Sequence, residues 1–194
     1  QEIEVVFKGR SAHVAFAEKG INALTAGAEF YLQIEEAIKK KFPIGKPVIC
    51  SFGKMNAGVV MNAVPDECRL EGTFRAFADE DHEALKKLIE QVKTRIAEKH
   101  KIKAEIIYKA YYKEVVNNEM LLEKLKEKVT ELDIDFIEAE KVFTGEDFGF
   151  FTEKYKGLLF WLGVGNNSAD LHSPQFLPDE KAIDIGVELF FELI

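Results

Sequence analysis

Hydrophobic and polar positions alternate at the start of the chain and again near its middle. Ile3, Val5 and Phe7 occupy every second position of the opening segment. In residues 69–77, Leu70 and Phe74 alternate in the same way with charged residues. A two-residue period predicts a β-strand at each place, the second of them half-buried. Arg75 then lies on the polar face of the second strand.

Two other segments have the spacing of amphipathic helices. Residues 79–100 are predicted to form the clearest helix, with Asp79 or Asp81 as its N-cap. Residues 21–41 are rich in helix-forming residues and predict a second helix. Its apolar face is predicted at Leu24, Ala28, Tyr31 and Ile38.

Short apolar segments at 48–52 and 102–112 predict two further strands, and residues 53–67 read as a long loop. The element order becomes β-α-β-β-α-β, which is the ferredoxin-like pattern of a four-stranded sheet with helices on one side. The sequence therefore predicts an α+β domain over residues 1–112.

The organisation changes after residue 112. A helix with apolar residues in register, a short strand near 135–142 and a terminal helix from about Asp179 are expected. Leu158 to Leu162 are five successive apolar residues, which predicts a strand covered on both faces, as in a central parallel sheet. Residues 113–194 supply too few elements to cover such a strand. We interpret them as half of a larger α/β domain, and because the chain opens within a strand we expect residues to be missing upstream of Gln1.

Composition narrows the class of protein. The net charge is −8, with lysines and glutamates interspersed, which argues against a nucleic-acid partner. No segment is apolar for long enough to predict a membrane span. The two cysteines form neither a disulfide framework nor a structural zinc motif, so a cytoplasmic location is expected.

Six polar residues are candidates for chemistry. His172 follows the apolar strand, where α/β proteins place ligands, and imidazole is a common metal ligand. The alternative is a loop histidine that contacts only water. His13 sits in a loop of small residues, and Asn62 and Arg75 lie on polar surfaces that are usually only solvated. Glu146 and Asp147 are adjacent, which suits a helix start as well as a site. His82 and His100 are expected at the surface of their helix.

Four ordered motifs together are more specific than any single residue: AHVAF at 12–16, GKMNAGVVMNAVPDECRLEGTFRAF at 53–77, GEDFGFF at 145–151 and LHSPQFLPDEKAI at 171–183. In order and spacing they resemble the C-terminal half of the metal-dependent aminoacylase/carboxypeptidase amidohydrolases, in the branch of hippurate hydrolase, N-acetyldiaminopimelate deacetylase and auxin-conjugate hydrolase. The resemblance implies a lid or dimerisation domain at 1–112, followed by the returning part of a metallohydrolase catalytic domain at 113–194.

The resemblance also implies roles for the candidates. His172 falls on the last metal ligand of a site for two divalent ions (Zn, Mn, Co or Ni), and the other ligands have no matching position in this chain. His13 falls on the lid histidine that polarises the scissile carbonyl in the partner subunit of a homodimer. Asn62 and Arg75 match residues that hold the carboxylate or acyl oxygen of an N-acyl amino acid or small peptide, and Glu146 and Asp147 match a supporting motif.

Two hypotheses of different class follow. In the first, the chain is part of a homodimeric metal-dependent amidohydrolase. In the second, it is a catalytically incomplete fragment that acts only as a dimerisation or structural module. Binding of two divalent metal ions per chain separates them, since only the first expects it.

Overall fold

The chain folds into two compact units, Gln1–Tyr111 and Tyr112–Ile194. This division comes from a computed structural model, which describes residues 1–43, 45–165, 169 and 171–193. The two units are described in turn. Their boundary follows from where the chain makes its internal contacts, whereas the roles expected for residues 1–112 and 113–194 stay predictions.

The first unit is built on a four-stranded antiparallel sheet. Its strands are β1 (Glu2–Lys8), β2 (Val48–Ala57), β3 (Glu67–Ala76) and β4 (Lys103–Tyr108). They lie in the order β2-β3-β1-β4, and β1 pairs with both β3 and β4. This order and the two intervening helices confirm the ferredoxin-like prediction. Because β1 is central, all of its residues from Ile3 to Phe7 are buried.

Two helices, α1 (Ala23–Lys41) and α2 (Asp79–His100), pack against this sheet and close the core. α2 has the bounds predicted from its periodicity, and Leu85, Ile89, Val92 and Ile96 form its buried stripe. Its N-cap is Ala78, which makes no side-chain hydrogen bond, so the prediction of Asp79 or Asp81 as the cap was wrong. The acidic residues of its first turn instead lie where the helix dipole favours negative charge.

The apolar face predicted for α1 was wrong in its first half: Tyr31 and Ile38 pack against the core, but the two earlier residues do not. Leu24 and Ala28 are exposed, and the buried residues are Ala23, Ala26, Gly27, Phe30 and Ile34. Phe30 lies between two other core rings, with its centroid 5.6 Å from Phe7 and 5.5 Å from Phe52. Small residues on the same stripe let the helix approach the sheet closely. The contacts of the Phe30 ring therefore decide which face of α1 is buried, and a count of apolar residues on each face does not.

The second strand of the chain, β2, is longer than predicted. It continues to Ala57 rather than ending at residue 52, and β3 begins at Glu67. The register shifts between Phe52 and Lys54, which marks a β-bulge at Gly53. Glycine within a strand reads as a turn signal in sequence but is also typical of a bulge. The loop predicted at 53–67 is therefore restricted to residues 58–66.

Gly27 marks the closest approach of α1 to the sheet. A Cβ atom built there would lie 2.2 Å from the Cys68 Sγ atom and 3.2 Å from the Met55 Cε atom. We expect Gly27→Ala to destabilise the first unit by about 1–3 kcal/mol, because overpacking of a rigid core outweighs the better helix propensity of alanine. Urea unfolding of the chain measures this change. In a Cys68→Ala background the sulfur is absent, so the cost of Gly27→Ala should fall; an unchanged cost would contradict this contact as its cause.

The second unit contains three helices, α3 (Glu119–Glu131), α4 (Gly149–Thr152) and α5 (Lys181–Leu193). α3 and α5 pack through Leu125, Val129 and Leu189, which confirms the apolar register predicted for α3. Neither strand predicted for this unit is present among its described residues, because neither 158–162 nor 135–142 pairs with a neighbouring strand. Trp161 is exposed, so the prediction that Leu158 to Leu162 is covered on both faces was wrong for this chain.

The side chain of Asn117 makes the backbone hydrogen bonds to residues 158–162 that a neighbouring strand would otherwise make. Its Oδ1 atom accepts from the Leu159 backbone N–H at 2.8 Å, and its Nδ2 atom donates to the Leu159 carbonyl at 2.8 Å. A β-strand requires a continuous ladder with a neighbour. The described residues of this unit supply one amide at this point, which explains why the apolar run does not form a strand.

Candidate functional site

His13 is carried on a loop whose base is closed by backbone pairing. Arg10 and Ile21 exchange two backbone hydrogen bonds, at 3.0 and 2.8 Å. The Arg10 side chain also donates from Nε to the Lys19 carbonyl at 2.8 Å. Between these points the chain forms a short 3₁₀ helix, Val14–Lys19, for which His13 is the N-cap. The loop is therefore held at its base by both backbone and side-chain hydrogen bonds.

The structure brings His13 and Asn62 onto adjoining segments. The Val14 N–H donates to the Asn62 carbonyl at 3.1 Å, and the Val64 N–H donates to the Ala12 carbonyl at 2.8 Å. His13 and Ala63 form an isolated antiparallel bridge between these two bonds. The side chains of both candidates are exposed. Two residues that are 49 positions apart in sequence thus share one edge of the first unit.

The loop beside Asn62 has an apolar tip. Val59 and Met61 are 98% and 99% exposed, and Gly58 makes the turn with a φ of 75°. Val60 between them is 57% exposed, so three successive apolar side chains form one exposed patch. The tip therefore places apolar surface directly beside the His13–Asn62 edge.

The imidazole of His13 is oriented by the main chain. Its Nδ1 atom accepts a hydrogen bond from the Ala15 backbone N–H at 3.1 Å. A ring nitrogen that accepts carries no proton, so the neutral ring has its proton on Nε2. This arrangement leaves Nε2–H as a donor on the outer side of the ring.

Arg75 lies on β3, opposite Ile49 of β2. The neighbouring residue Phe74 is fully buried in the helix-covered core, so alternation places Arg75 on the other face of the sheet. Its guanidinium group is exposed there. A planar guanidinium suits bidentate contact with a carboxylate. The polar face predicted for Arg75 is thus confirmed, while its role stays a prediction.

The same sheet face carries a buried carboxylate that sequence reasoning missed. Glu4 on β1 is only 4% exposed and forms ion pairs with Arg69 and with Lys109, whose Nζ atom lies 2.7 Å from Glu4 Oε2. Lys54 and Glu71 extend these alternating charges across the sheet. A carboxylate at this depth requires such partners. The sequence signal for this buried carboxylate was the position of Glu4 within β1, since a central strand buries both of its faces.

The other three candidates lie in the second unit. His172 is an exposed residue of a turn and adopts a left-handed conformation with a φ of 70°. The base of its loop is closed by the Asp179 N–H, which donates to the Val164 carbonyl at 2.9 Å. Non-glycine residues with positive φ are uncommon and occur often at functional sites. Glu146 and Asp147 are exposed and lie just before Phe148, the N-cap of α4.

The described residues do not form a metal site by themselves. Across 1–43, 45–165, 169 and 171–193, no group of three or more His, Cys, Asp or Glu side chains gathers as metal ligands. Burial raises the pKa of Cys50 to about 12 and that of Cys68 to about 11, so neither supplies a thiolate near neutral pH. One imidazole is a suitable donor, but a divalent ion needs about four ligands. A metal site that includes His172 therefore needs ligands from outside these residues.

Two histidines expected at the surface are instead packed. His82 is stacked on Phe74 at 4.8 Å and tilted against Tyr111 at 5.2 Å, and its side chain is 12% exposed. His100 lies 2.7 Å from a carboxylate oxygen of Glu29, which also pairs with Lys99. The surface prediction was therefore wrong for His82, whereas His100 is partly exposed at the end of α2. The helix periodicity places His82 on the stripe of Leu85 and Ile89, which was the available signal.

The packing of His82 makes stability depend on pH. Burial lowers the pKa of His82 below its usual value, and its buried Nε2 atom has no hydrogen-bond partner among the described residues. Below the unfolded-state pKa of about 6.5, the unfolded chain takes up a proton more readily than the folded chain. Stability is therefore full above that value and decreases as pH falls towards the lowered pKa of the folded state.

We expect the free energy of unfolding to decrease between about pH 7 and about pH 5, and a His82→Phe variant to lose part of this slope. Phenylalanine keeps the contact with Phe74 but does not titrate. Urea unfolding at a series of pH values measures the slope. The same slope in both proteins would show that His82 does not cause it.

Comparison with protein families gives one match in the first unit. The family described as the peptidase dimerisation domain, M20_dimer, matches residues 2–104. Curated relatives extend over nearly the whole chain. An N-acetyldiaminopimelate deacetylase of Exiguobacterium sibiricum is 31% identical over 97% of this chain and 51% of its own length. One of Lactobacillus acidophilus is 33% identical over 96% and 49%. The chain spans about half the length of the curated relatives it matches.

Solved structures give the same picture. A dinuclear metal binding peptidase of the M20 family from Bacillus subtilis superposes with a TM-score of 0.78 and 27% identity, covering 99% of this chain and 48% of that one. An aminopeptidase of Bacillus cereus gives a TM-score of 0.77 at 18% identity, covering 100% and 50%. At that identity the second likeness shows the fold alone.

Proposed function

Because the chain belongs to the M20 peptidase dimerisation family, we propose that it is the C-terminal half of a metal-dependent amidohydrolase that acts on N-acyl amino acids or small peptides. The observation that carries the proposal is the pairing of the His13 and Asn62 loops, in a chain that aligns over nearly its whole length with N-acetyldiaminopimelate deacetylases. Family membership supports the class of reaction. The paired loops of His13 and Asn62 are where we propose that the substrate binds.

The proposed roles follow from the chemistry of each side chain. His13 donates a hydrogen bond from Nε2 to the carbonyl oxygen that becomes an oxyanion. Arg75 binds the substrate carboxylate, and Asn62 binds an acyl or carboxylate oxygen. His172 contributes one ligand to a site for divalent ions, which would supply Lewis acidity when bound. Glu146 and Asp147 support that site.

Turnover of an N-acyl amino acid panel by the full-length protein tests this function. We expect acetate or an aromatic acid to be released in the presence of Zn²⁺, Mn²⁺, Co²⁺ or Ni²⁺, and the activity to disappear with a chelator. Arg75→Lys should raise KM for substrates with an α-carboxylate more than for their amides, since lysine keeps the charge but not the bidentate geometry. Absence of metal-dependent turnover across the panel would reject the proposal.

A second candidate is a dimerisation module without catalysis. Among the described residues no set of side chains gathers as metal ligands, which favours this function for the 194-residue chain taken alone. On this view the chain is folded and dimeric but binds no divalent metal stoichiometrically. Metal analysis of the full-length protein after dialysis separates the two candidates, because two tightly bound ions per subunit would exclude the second.

We infer that the homodimer expected from the family forms along β2. This strand is an edge of the sheet, ten residues long, and edge strands present backbone groups that pair readily with another chain. Exposed Leu32 of α1 adds apolar surface to the same unit.

No helix of the described residues has the length and apolarity to cross a membrane. The cytoplasmic location remains a prediction.

A matched pair of substitutions tests this interface. Ile49 on β2 and Ile107 on β4 are each 39% exposed, and they lie on the two opposite edges of the sheet. We expect Ile49→Lys to weaken dimerisation by about tenfold or more, because a lysine on an edge strand disfavours pairing, while Ile107→Lys leaves it unchanged. Sedimentation equilibrium measures both. Equal effects of the two variants, or none, would contradict an interface at β2.

A further inference from the structure

The His13 imidazole closes the first turn of the 3₁₀ helix through a nitrogen that must be unprotonated. Nδ1 accepts from the Ala15 N–H at 3.1 Å, while the His13 carbonyl accepts from the Phe16 N–H at 2.8 Å. Protonation of the ring places a hydrogen on Nδ1. Two N–H groups then face each other, and the side-chain cap is lost.

The rest of the loop does not depend on the charge of the ring. The Arg10–Ile21 pair, the Val14–Asn62 bond and the Val64–Ala12 bond all join backbone atoms. They persist when the imidazole ionises. Inside this fixed frame, the turn also contains a non-helical residue, Phe16, with φ −132° and ψ 42°. The turn therefore depends on its cap more than a regular helix would.

The charged neighbours of His13 do not replace the lost bond. The charged residues closest to it along the chain are Arg10, Glu18 and Lys19, and the segment that pairs with its loop is followed by Asp66 and by Glu67 at the start of β3. In the described part of the chain, none of these forms an ion pair with His13 within 4.0 Å. A protonated ring at this position consequently gains no carboxylate partner in place of the Ala15 N–H.

We propose that His13 is a proton-sensitive cap: the neutral ring, with its proton on Nε2, holds the start of the 3₁₀ helix, and protonation releases it. One proton then controls both the direction of the Nε2–H donor and the order of residues 13–16. The inference rests on the loop geometry and stands whether or not the chain belongs to an active hydrolase.

Nuclear magnetic resonance of the ¹⁵N-labelled 194-residue chain tests this device. At neutral pH we expect the ¹⁵N shifts of His13 to report the Nε2–H tautomer. As the pH is lowered through the titration of this ring, the exchange protection of the Ala15 amide should fall by roughly fivefold, the effect of losing one cap hydrogen bond. The Ala15 amide shift should follow the same curve as the imidazole.

A His13→Asn variant is the matched control. Asparagine caps through its side-chain oxygen and does not titrate, so Ala15 protection should be retained and should not change with pH. His82 and His100 are unchanged in this variant, which separates their effects from that of His13. A ring with its proton on Nδ1, or an Ala15 amide indifferent to the titration of His13, would overturn the proposal. So would the same loss of protection in His13→Asn.

Discussion

Replacing His172 by alanine in the full-length protein is expected to reduce metal-dependent turnover by about 10³-fold or more and to remove at least one bound ion. On the proposed function His172 is a metal ligand, and the loss of a direct ligand costs more than the 10- to 100-fold that is typical of an outer-shell partner. Its left-handed φ of 70° holds the imidazole on a turn whose base is closed between Val164 and Asp179. Elemental analysis and turnover of the same preparation measure the two effects together.

The matched control is His100→Ala. That substitution also removes an imidazole, but from the end of α2 in the first unit. There the His100 Nε2 atom lies 2.7 Å from a carboxylate oxygen of Glu29. We expect it to leave metal content and turnover unchanged. Normal turnover in His172→Ala would sink the assignment of His172 as a ligand. Loss of turnover in both variants would point to general destabilisation instead.

The fold of the first unit was predictable because two periods in the sequence each had one interpretation. The alternation in β1 and β3 and the helical stripe of α2 agree with the observed bounds to within about two residues. Where the prediction was wrong, a single contact outweighed the pattern. Phe30 set the face of α1, and Gly53 continued β2 through a bulge where sequence indicated a turn.

The second unit was less predictable because its strongest sequence signal depends on neighbours. An apolar run such as Leu158 to Leu162 indicates burial on both faces, but burial requires something to cover it. Within the described residues, Asn117 supplies one pair of hydrogen bonds there and Phe160 packs on Phe190 at 5.7 Å. Phe191 and Trp161 are also large apolar side chains that no described residue covers. On the proposed function, the rest of a larger domain would cover this run.

The candidate site divides in the same way. Loop pairing that joins His13 to Asn62 is a tertiary contact, and no local pattern in either segment specifies it. Arg75 was placed correctly because strand alternation alone decides its face. The structure adds to the site what sequence reasoning lacked: the backbone N–H of Ala15, which fixes the tautomer of His13.

The Phe30→Ala substitution is expected to destabilise the first unit by about 3–5 kcal/mol. Phe30 is fully buried between Phe7 and Phe52, so truncation removes both ring contacts and leaves a cavity in a rigid core. A domain of this kind is stable by only about 5–15 kcal/mol, so this is a large share of the total. Hydrogen exchange of the Val5 and Leu70 amides, on two core strands, measures the opening free energy of this unit directly.

A control on the same helix separates the core contact from helix formation. Leu32 is 67% exposed, and Leu32→Ala should change stability by less than about 0.5 kcal/mol. The single tryptophan, Trp161, lies in the second unit, so its fluorescence reports that unit independently. If Phe30→Ala lowers the protection of β1 and β3 while the tryptophan transition is unchanged, the two units unfold separately. A common shift of both signals would instead mean that the chain unfolds as one cooperative structure, and equal effects of Phe30→Ala and Leu32→Ala would show that the aromatic cluster does not anchor α1.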